Sequence, residues 1–378
     1  MARYTGLVRT EVVVKEEDHG TVSNSAILLS GMVMKGSATA LVEGTLQGFG
    51  RGDALRVDKG DRWNIQISET GFVAGNEIGI RIEGDNGSLA NSGRIVALGA
   101  AVYIRGNNNE FRNEGFVGGG REGLMMERGQ IVNEKSGQII GDAYGAIGEN
   151  IENYGRISGE TAVFLNGSGT LINRGVIDGN VRCGGSNDLI DTLGGTINGV
   201  VRAGYGNDIL ITDDARILLV DARSGGNDTV KSTVSYKLSD NVERLVLLGK
   251  GDTDGKGNNQ RNTLDGNEGA NKLSGMGGDD VLDGRKGDDV LSGGSGRDVF
   301  MFAVGDGKDT ITDFAVSDVG QSPHDVIALR SWHDIRDYEV LWEHARNEDG
   351  NVVIEAEGDS ITLLNVHLSE LTRDHFYF

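Results

Sequence analysis

The chain has 378 residues, enough for two or three domains, and a net charge of −21 from 36 basic and 57 acidic residues. This charge makes nucleic acid and anionic membranes poor partners and makes cations good ones. With 61 glycines, one proline, one cysteine (Cys183) and no long apolar run, the sequence excludes collagen, an internal disulfide and a membrane-spanning helix.

The first 19 residues are predicted to form an N-terminal cap. The segment MARYTGLVRTEVVVKEED lacks the apolar core and cleavage site of a Sec signal peptide, so such a signal is not expected.

A repeated glycine motif indicates that residues 20–235 form a parallel β-helix. The motif Gly-x-(Val/Ile)-x-Gly begins at Gly71, Gly115, Gly137, Gly155, Gly175 and Gly195, with a longer version at Gly93 and a looser one at Gly44. Intervals of about 20 residues are too short for βαβ units and carry no helical periodicity. Each repeat is expected to hold two or three short strands, and stacked repeats bury an apolar column that one repeat cannot bury alone.

An asparagine shortly precedes many of these motifs: two positions before the first glycine at Asn91, Asn113, Asn153 and Asn173, and four positions before it at Asn133. Asparagines at a repeated corner can form a hydrogen-bonded ladder, and glycine suits corners that require positive φ. Turn chemistry accounts for these positions, so no catalytic role is assigned to them.

From residue 257 onward the period becomes nine. Polar anchors recur at Asn262, Asn271, Asp280, Asp289 and Asp298. An apolar residue follows each anchor by two positions, at Leu264, Leu273, Leu282, Leu291 and Phe300. A glycine lies five positions before each anchor, at Gly257, Gly266, Gly275, Gly284 and Gly293. Each unit is expected to contribute a six-residue turn and a three-residue strand. Eighteen residues then complete one coil, so anchors eighteen positions apart share a rim.

These turns offer only oxygen ligands, from main-chain carbonyls and anchor side chains. Ca²⁺ accepts six to eight oxygens in loose geometry, whereas Mg²⁺ requires a strict octahedron and Zn²⁺ prefers nitrogen or sulfur. The predicted metal-binding residues are Asn271, Gly275, Gly277, Asp280, Gly284, Asp289, Gly293, Ser295 and Asp298. Sites that use Asn262 or Asn271 carry less charge and are expected to bind more weakly.

The segment GGSGRDVFM, residues 293–301, resembles the nonapeptide GGxGxDxUx of RTX (repeats-in-toxin, hemolysin-type) calcium-binding proteins. The flanks VSYKLSDNVERLVLLG from Val234 and FMFAVGDGKDTITDF from Phe300 are similar to the lead-in and exit of such arrays. The resemblance implies an RTX β-roll over residues 236–305 and, over residues 306–378, a C-terminal cap with the region presented to a type I secretion apparatus. It also implies that the roll folds on Ca²⁺ after export to the extracellular side.

A second aspartate series precedes the nonapeptides. The segments GGSNDLI, GYGNDIL and SGGNDTV place Asp188, Asp208 and Asp228 twenty residues apart. One hypothesis is that calcium-binding corners already begin near residue 184; the alternative is ordinary Asn-Asp turn chemistry.

Together these patterns predict an all-β fold, in which an N-terminal right-handed parallel β-helix runs into a calcium-binding RTX β-roll with a small C-terminal β cap. The expected function is a secreted structural or adhesive component of the bacterial surface or matrix, with calcium, the secretion apparatus and an exopolysaccharide or further copies of itself as partners.

The alternative function is a polysaccharide lyase or C5-epimerase. The motifs HExxH and GxSxG are absent, so a serralysin-type protease or a lipase is not expected. Arg156, Arg174, Arg182 and Arg202 could line a lyase face, but solvated strand positions explain them as well. No catalytic residue is predicted.

Overall fold

The computed structural model describes residues 2–8, 12–14, 18–23, 26–28, 31–48, 52–223, 225–316 and 324–378. The chain divides into two compact units, residues 1–206 and 207–378. Part of the predicted cap (residues 1–19) lies outside the described residues, and the boundaries at residues 235 and 305 stay predictions.

The first unit is built from short parallel strands. Their bounds are Ala2–Tyr4, Leu7–Val8, Val12–Val14, His19–Val22, Ile27–Leu28, Met32–Lys35, Thr39–Val42, Thr45–Gln47, Leu55–Asp61, Asn64–Ile67, Phe72–Gly75, Ile78–Asp85, Ser88–Asn91, Arg94–Ala97, Ala100–Arg105, Asn109–Asn113, Phe116–Gly119, Glu122–Met126, Gly129–Asn133, Gln138–Gly141, Tyr144–Asn153, Arg156–Asn173, Val176–Arg182, Leu189–Asp191, Thr196–Ile197 and Val201–Arg202.

Three apolar columns fill the interior of this unit. The central Val or Ile of each glycine motif forms one column, Val73, Ile95, Val117, Ile139, Ile157, Ile177 and Ile197, in which each residue pairs in register with the next. A second column runs from Ile65 through Leu89 to Phe111 and beyond, and a third from Ile80 through Val102 to Leu124 and beyond. All the residues of these columns named here are buried, and a fully buried side chain of this size contributes about 1.5–3 kcal/mol.

The predicted asparagine ladder is present. Asn113 Nδ2 donates to Asn133 Oδ1, Asn133 Nδ2 to Asn153 Oδ1, and Asn153 Nδ2 to Asn173 Oδ1, each over 2.8 Å. The ladder side chains are almost completely buried. Each amide therefore satisfies the next, which keeps polar corners inside the coil without an unpaired donor.

Asn133→Asp is expected to destabilise the first unit by about 2–4 kcal/mol, because a carboxylate cannot donate to Asn153 Oδ1 and stays buried without a counter-charge. Asn133→Ala is expected to cost less, about 1–3 kcal/mol, since it adds no charge. Urea unfolding in saturating calcium measures both changes. The exposed residue Asn107 provides the control, because its replacement by Ala should change stability by less than about 0.5 kcal/mol. If Asn133→Asp changed stability no more than Asn107→Ala does, the ladder would not stabilise the first unit.

The second unit also consists mainly of parallel strands. Their bounds are Ile209–Thr212, Leu219–Val220, Thr229–Ser232, Tyr236–Lys237, Arg244–Leu247, Gly255–Lys256, Thr263–Asp265, Lys272–Gly277, Val281–Asp283, Val290–Ser295, Val299–Ala303, Lys308–Ile311, Val326–Arg330, Ala345–Glu348, Asn351–Ala356, Asp359–Leu363 and Phe376–Tyr377, with one α-helix, Tyr338–His344, and the 3-10 turns Leu368–Glu370 and Arg373–His375.

The nine-residue period produces two opposite faces, as predicted. Leu264 pairs with Leu282, and Leu282 with Phe300, while Leu273 pairs with Leu291 on the other sheet. All five side chains are buried. Successive nonapeptides therefore alternate between two sheets, and eighteen residues complete a coil.

Near the C-terminus the pairing changes direction. Ala345–Glu348, Asn351–Ala356 and Asp359–Leu363 form an antiparallel meander, and Asp359–Leu363 pairs in parallel with Lys308–Ile311. Strands account for 54% of the chain and helices for 4%, so the predicted all-β class with a C-terminal β cap is confirmed. Across the described ranges, no helix has the length and apolar composition that crossing a bilayer requires.

Candidate metal centre

The aspartate anchors of the nonapeptides lie inside the turns. Asp280, Asp289 and Asp298 are at most 1% exposed. The Oδ1 atom of each accepts a hydrogen bond from the main-chain N–H of the anchor one coil earlier: from Asn262 to Asp280 over 2.7 Å, from Asn271 to Asp289 over 2.7 Å, and from Asp280 to Asp298 over 2.9 Å. Anchors eighteen residues apart therefore share a rim.

The second carboxylate oxygen of each of these anchors has no donor. Oδ2 of Asp280, Asp289 and Asp298 is buried without a hydrogen-bond partner. An ionised carboxylate in this position costs several kcal/mol unless it is neutralised. Each turn therefore requires a proton or a cation at Oδ2.

The glycine five positions before each anchor makes room for this oxygen. A Cβ atom at Gly275, Gly284 or Gly293 would overlap Oδ2 of the following anchor. At Gly275 the same Cβ would lie only 2.6 Å from the carbonyl oxygen of Gly293, one coil further on. A carboxylate oxygen and a carbonyl oxygen thus face one small volume, a donor set that suits Ca²⁺.

The glycine two positions before each anchor shapes the turn. Gly278, Gly287 and Gly296 have φ values of +104°, +120° and +137°, which strain any L side chain. Gly277 and Ser295, two further predicted ligands, lie opposite each other on neighbouring strands. Their role as calcium ligands stays a prediction.

Burial opposes ionisation of the anchors. Desolvation, together with neighbouring carboxylates, raises the pKa of Asp280 and of Asp289 to about 7, and desolvation also raises the pKa of Asp298. The outward neighbour Asp279 behaves differently: a hydrogen bond from the Arg297 main-chain N–H and contact with Arg261 lower its pKa. The buried anchor carboxylates, and not their exposed neighbour, therefore require a cation.

The two asparagine anchors do not require a cation. Asn262 Nδ2 donates to the carbonyl oxygen of Val242 over 3.0 Å, and Asn271 Nδ2 donates to that of Thr253 over 2.7 Å. The amide thus supplies its own donor in place of a cation. This geometry agrees with the expectation of weaker binding at these turns, which stays a prediction.

Two further buried aspartates extend the rims and were missed by the sequence reasoning. Asp309 accepts from the N–H of Asp289, and Asp325 from that of Asp298, each over 2.9 Å. Desolvation raises the pKa of Asp309 to about 8 and that of Asp325 to about 6.

A signal for Asp309 exists in the sequence. Gly307 lies two positions before it with φ of +114°, and the buried Ile311 lies two positions after it, as in the nonapeptides. The spacing from Asp289 is 20 residues rather than 18, which hides it from a search for a constant period. Asp325 follows Asp298 after 27 residues and has no comparable signal.

The earlier series shares the same turn. Asp188, Asp208 and Asp228 are at most 3% exposed. Asp188 Oδ1 accepts from the Gly169 N–H within the first unit, and Asp228 Oδ1 accepts from the Asp208 N–H over 2.8 Å within the second. Gly206 and Gly226, two positions before Asp208 and Asp228, have positive φ. The proposed metal role of the three stays a prediction.

The described residues contain no group of three or more His, Cys, Asp or Glu side chains arranged to hold a metal ion. This fits turns in which carboxylates stand one coil apart, because main-chain carbonyls must then supply most of the ligands. Such a set suits Ca²⁺ and does not suit Zn²⁺. In a bound site the aspartates would supply charge, and the glycine turns would supply carbonyl oxygens.

Two of the arginines considered for a lyase face are engaged in ion pairs. Arg156 lies 2.7 Å from Asp178, and Arg174 lies 2.7 Å from Asp191. Arg182 and Arg202 are exposed neighbours in register on adjacent strands. Ion pairing explains the first two positions without catalysis, and an enzymatic role of this face stays a hypothesis.

Comparisons with known proteins agree with the site. The family model of the RTX calcium-binding nonapeptide repeat (4 copies) matches residues 256–291 and 265–300. The crystal structure of the extracellular lipase LipA from Serratia marcescens is similar over 56% of this chain and 40% of its own, with 16% identity and a TM-score of 0.25, so the match spans less than half of that lipase. No curated protein matches the chain. Residues 256–300 are thus RTX calcium-binding nonapeptide repeats, within a chain built on parallel β-coils.

Proposed function

We propose that the protein is a secreted structural or adhesive component of the bacterial surface or matrix, which becomes rigid when calcium binds after export. The observation that carries this proposal is the row of buried Oδ2 atoms without donors at Asp280, Asp289 and Asp298. Where calcium is scarce, these carboxylates oppose folding. Where calcium is abundant, they bind it and the roll folds.

The size of this effect follows from linkage. A ligand that binds only the folded state stabilises it by RT ln(1 + [L]/Kd). For a Kd of about 10⁻⁴ M and about 1 mM calcium, each site contributes about 1.4 kcal/mol. Several sites together can replace the disulfides that a chain with one cysteine lacks.

The proposed division of labour follows the sequence prediction. Residues 1–19 would cap the β-helix of residues 20–235, and residues 236–305 would form the calcium-dependent roll. Residues 306–378 would close the roll and carry the region read by a type I secretion apparatus. RTX repeats are the support for this route, because the same calcium switch keeps a chain unfolded before export.

A scaffold role is supported by the first unit. The same packing recurs in each coil, through the three apolar columns and the buried asparagine ladder. Solenoid proteins built in this way present an extended surface. The alternative, a polysaccharide lyase or epimerase, is kept as a competing outcome of the functional test.

A groove in the second unit offers a surface for an acidic polysaccharide. It encloses about 620 Å³ and is lined by the exposed side chains of Lys237, Lys256 and Lys272 together with Tyr236 and Leu238. Lys237 and Lys256 are register partners on neighbouring strands, which lie about 4.8 Å apart. A row of cations on a strongly anionic protein is suited to the repeated carboxylates of a uronic-acid polymer.

A calcium titration of the purified protein tests the function. Circular dichroism, particle size, binding to a uronic-acid polymer and release of unsaturated sugar are followed together. We expect ordered β structure to appear with calcium, polymer binding that weakens in Lys256→Glu, and no sugar product. Lys135→Glu, an exposed change of the same charge in the first unit and away from the calcium turns, is the control.

Two results would overturn the proposal. Sugar release or epimerisation would establish the enzymatic alternative. Calcium-independent folding, or the absence of both assembly and polymer binding in calcium, would remove the scaffold and adhesive role.

A further inference from the structure

Asp228 is a buried carboxylate that lies outside the matched nonapeptides. It is 0% exposed. Its Oδ1 accepts from the Asp208 N–H over 2.8 Å, while its Oδ2 has no hydrogen-bond partner. This is the arrangement seen at Asp289, with Gly226 and the buried Val230 in the places of Gly287 and Leu291.

A second carboxylate, that of Asp221, is in contact with Asp228. Asp221 Oδ1 is also buried without a hydrogen-bond partner. The carboxylate lies over Gly225, where a Cβ atom would coincide with it. Two acceptor oxygens without donors therefore meet over a glycine turn, and no ion pair of the described residues brings a lysine or arginine to them.

Glu243 fixes this arrangement from the next coil. Its Oε2 accepts from the main-chain N–H of Asp228 over 2.8 Å. It takes the place that an aspartate one coil later occupies in the nonapeptides, where the N–H of Asp280 binds Asp298. Its longer side chain spans the change in coil length, since it follows Asp228 after 15 residues rather than 18 or 20.

We propose that Asp221 and Asp228 bind a Ca²⁺ ion together with main-chain carbonyl oxygens of their turn, and that Glu243 is a positioning residue for this site. The site rests on the proposed calcium dependence of the chain but uses residues outside the RTX motif. Two carboxylates with carbonyls satisfy the preference of Ca²⁺ for oxygen ligands.

A shared proton is the competing explanation for the facing carboxylates. Burial opposes two neighbouring carboxylate charges without a counter-charge, so the pair requires either a shared proton or a cation. The calcium counts below distinguish these two possibilities.

Counting bound calcium tests the site. Equilibrium dialysis of the full chain at pH 7.5, followed by metal analysis, is carried out for the unmodified protein, Asp221→Asn, Asp289→Asn and Asp240→Asn. We expect Asp221→Asn to bind one ion fewer per chain. Asp240, an exposed carboxylate of the same region, is the matched control and should leave the count unchanged.

The pattern of counts separates the two proposals. An unchanged count in Asp221→Asn with a reduced count in Asp289→Asn overturns the site and leaves the RTX function intact, whereas no calcium binding by the unmodified chain overturns both. A second measurement does not depend on a variant: in crystals of the unmodified chain soaked with Tb³⁺, we expect an anomalous peak within bonding distance of Asp228 Oδ2. Occupied nonapeptide turns without that peak would establish a shared proton instead.

Discussion

Asp289→Asn is expected to stabilise the calcium-free protein and to reduce the stabilisation that the protein gains from calcium. The natural precedent lies one coil earlier, where Asn271 donates to the carbonyl oxygen of Thr253. An amide at position 289 can satisfy itself in the same way and removes a buried charge. We expect a gain of about 1–3 kcal/mol without calcium. The further stabilisation on adding millimolar calcium should be smaller than that of the unmodified chain by about 1.4 kcal/mol, the contribution of one site.

Urea unfolding in chelator and in millimolar calcium measures the stability of each protein without calcium and its stabilisation by calcium. The three tryptophans allow the second unit to be followed alone: Trp63 belongs to the first unit, and Trp332 and Trp342 belong to the second. Both proteins are therefore compared in a Trp63→Phe background, in which the fluorescence reports residues 207–378.

The control is Asp279→Asn, which removes the same charge from an exposed neighbouring turn position. Asp279 lies 3.2 Å from Arg261, and solvent screens such an exposed pair. Its replacement should change neither the stability without calcium nor the stabilisation by calcium appreciably. If Asp289→Asn and Asp279→Asn have the same effect in both conditions, the buried carboxylate is not the calcium-dependent element.

The features of this protein that sequence predicts are those that repeat with a constant period. The nine-residue spacing predicts that Leu264, Leu282 and Phe300 form one column, and the glycine motifs predict the column that contains Val117, because each fixes the neighbour in the next coil. The asparagine ladder follows for the same reason. In each case a local pattern and the register of the strands carry the same information.

The missed residues lie where the coil length changes. Asp309 and Asp325 continue the rims after 20 and 27 residues, and Glu243 continues the earlier series after 15. Their sequence positions depend on the lengths of the connecting loops, which vary without changing the stacking of the coils. The reason for glycine at Gly284 was equally hidden, since only coordinates show that the oxygen of Asp289 occupies the space of its missing Cβ.

The pH dependence of stability is expected to flatten when calcium is added. Without calcium, the folded-state pKa values of Asp280 and Asp289 are about 7 and that of Asp309 is about 8, all above the value of about 3.9 for an unfolded aspartate. Between these limits the folded chain binds more protons than the unfolded chain. The free energy of unfolding therefore rises as the pH falls from about 8 to about 5.

With saturating calcium the anchors are neutralised by the ion, and protons compete with it. Protons can bind these carboxylates only by displacing the ion. While calcium is saturating, the folded and unfolded chains therefore bind nearly equal numbers of protons, and the free energy of unfolding changes little over the same range. Chemical unfolding of the second unit at pH 8, 7, 6 and 5, with chelator and with calcium, measures the two slopes.

A triple variant identifies the groups that cause the difference between the two slopes. Replacing Asp280, Asp289 and Asp309 by Asn removes three carboxyls with raised pKa values and should flatten the slope measured in chelator. The exposed residues Asp279 and Asp288 supply a matched double replacement that should leave both slopes in place. Slopes of the same size with and without calcium would show that protons and calcium do not share these carboxylates, and the calcium switch would then have to lie elsewhere in the chain.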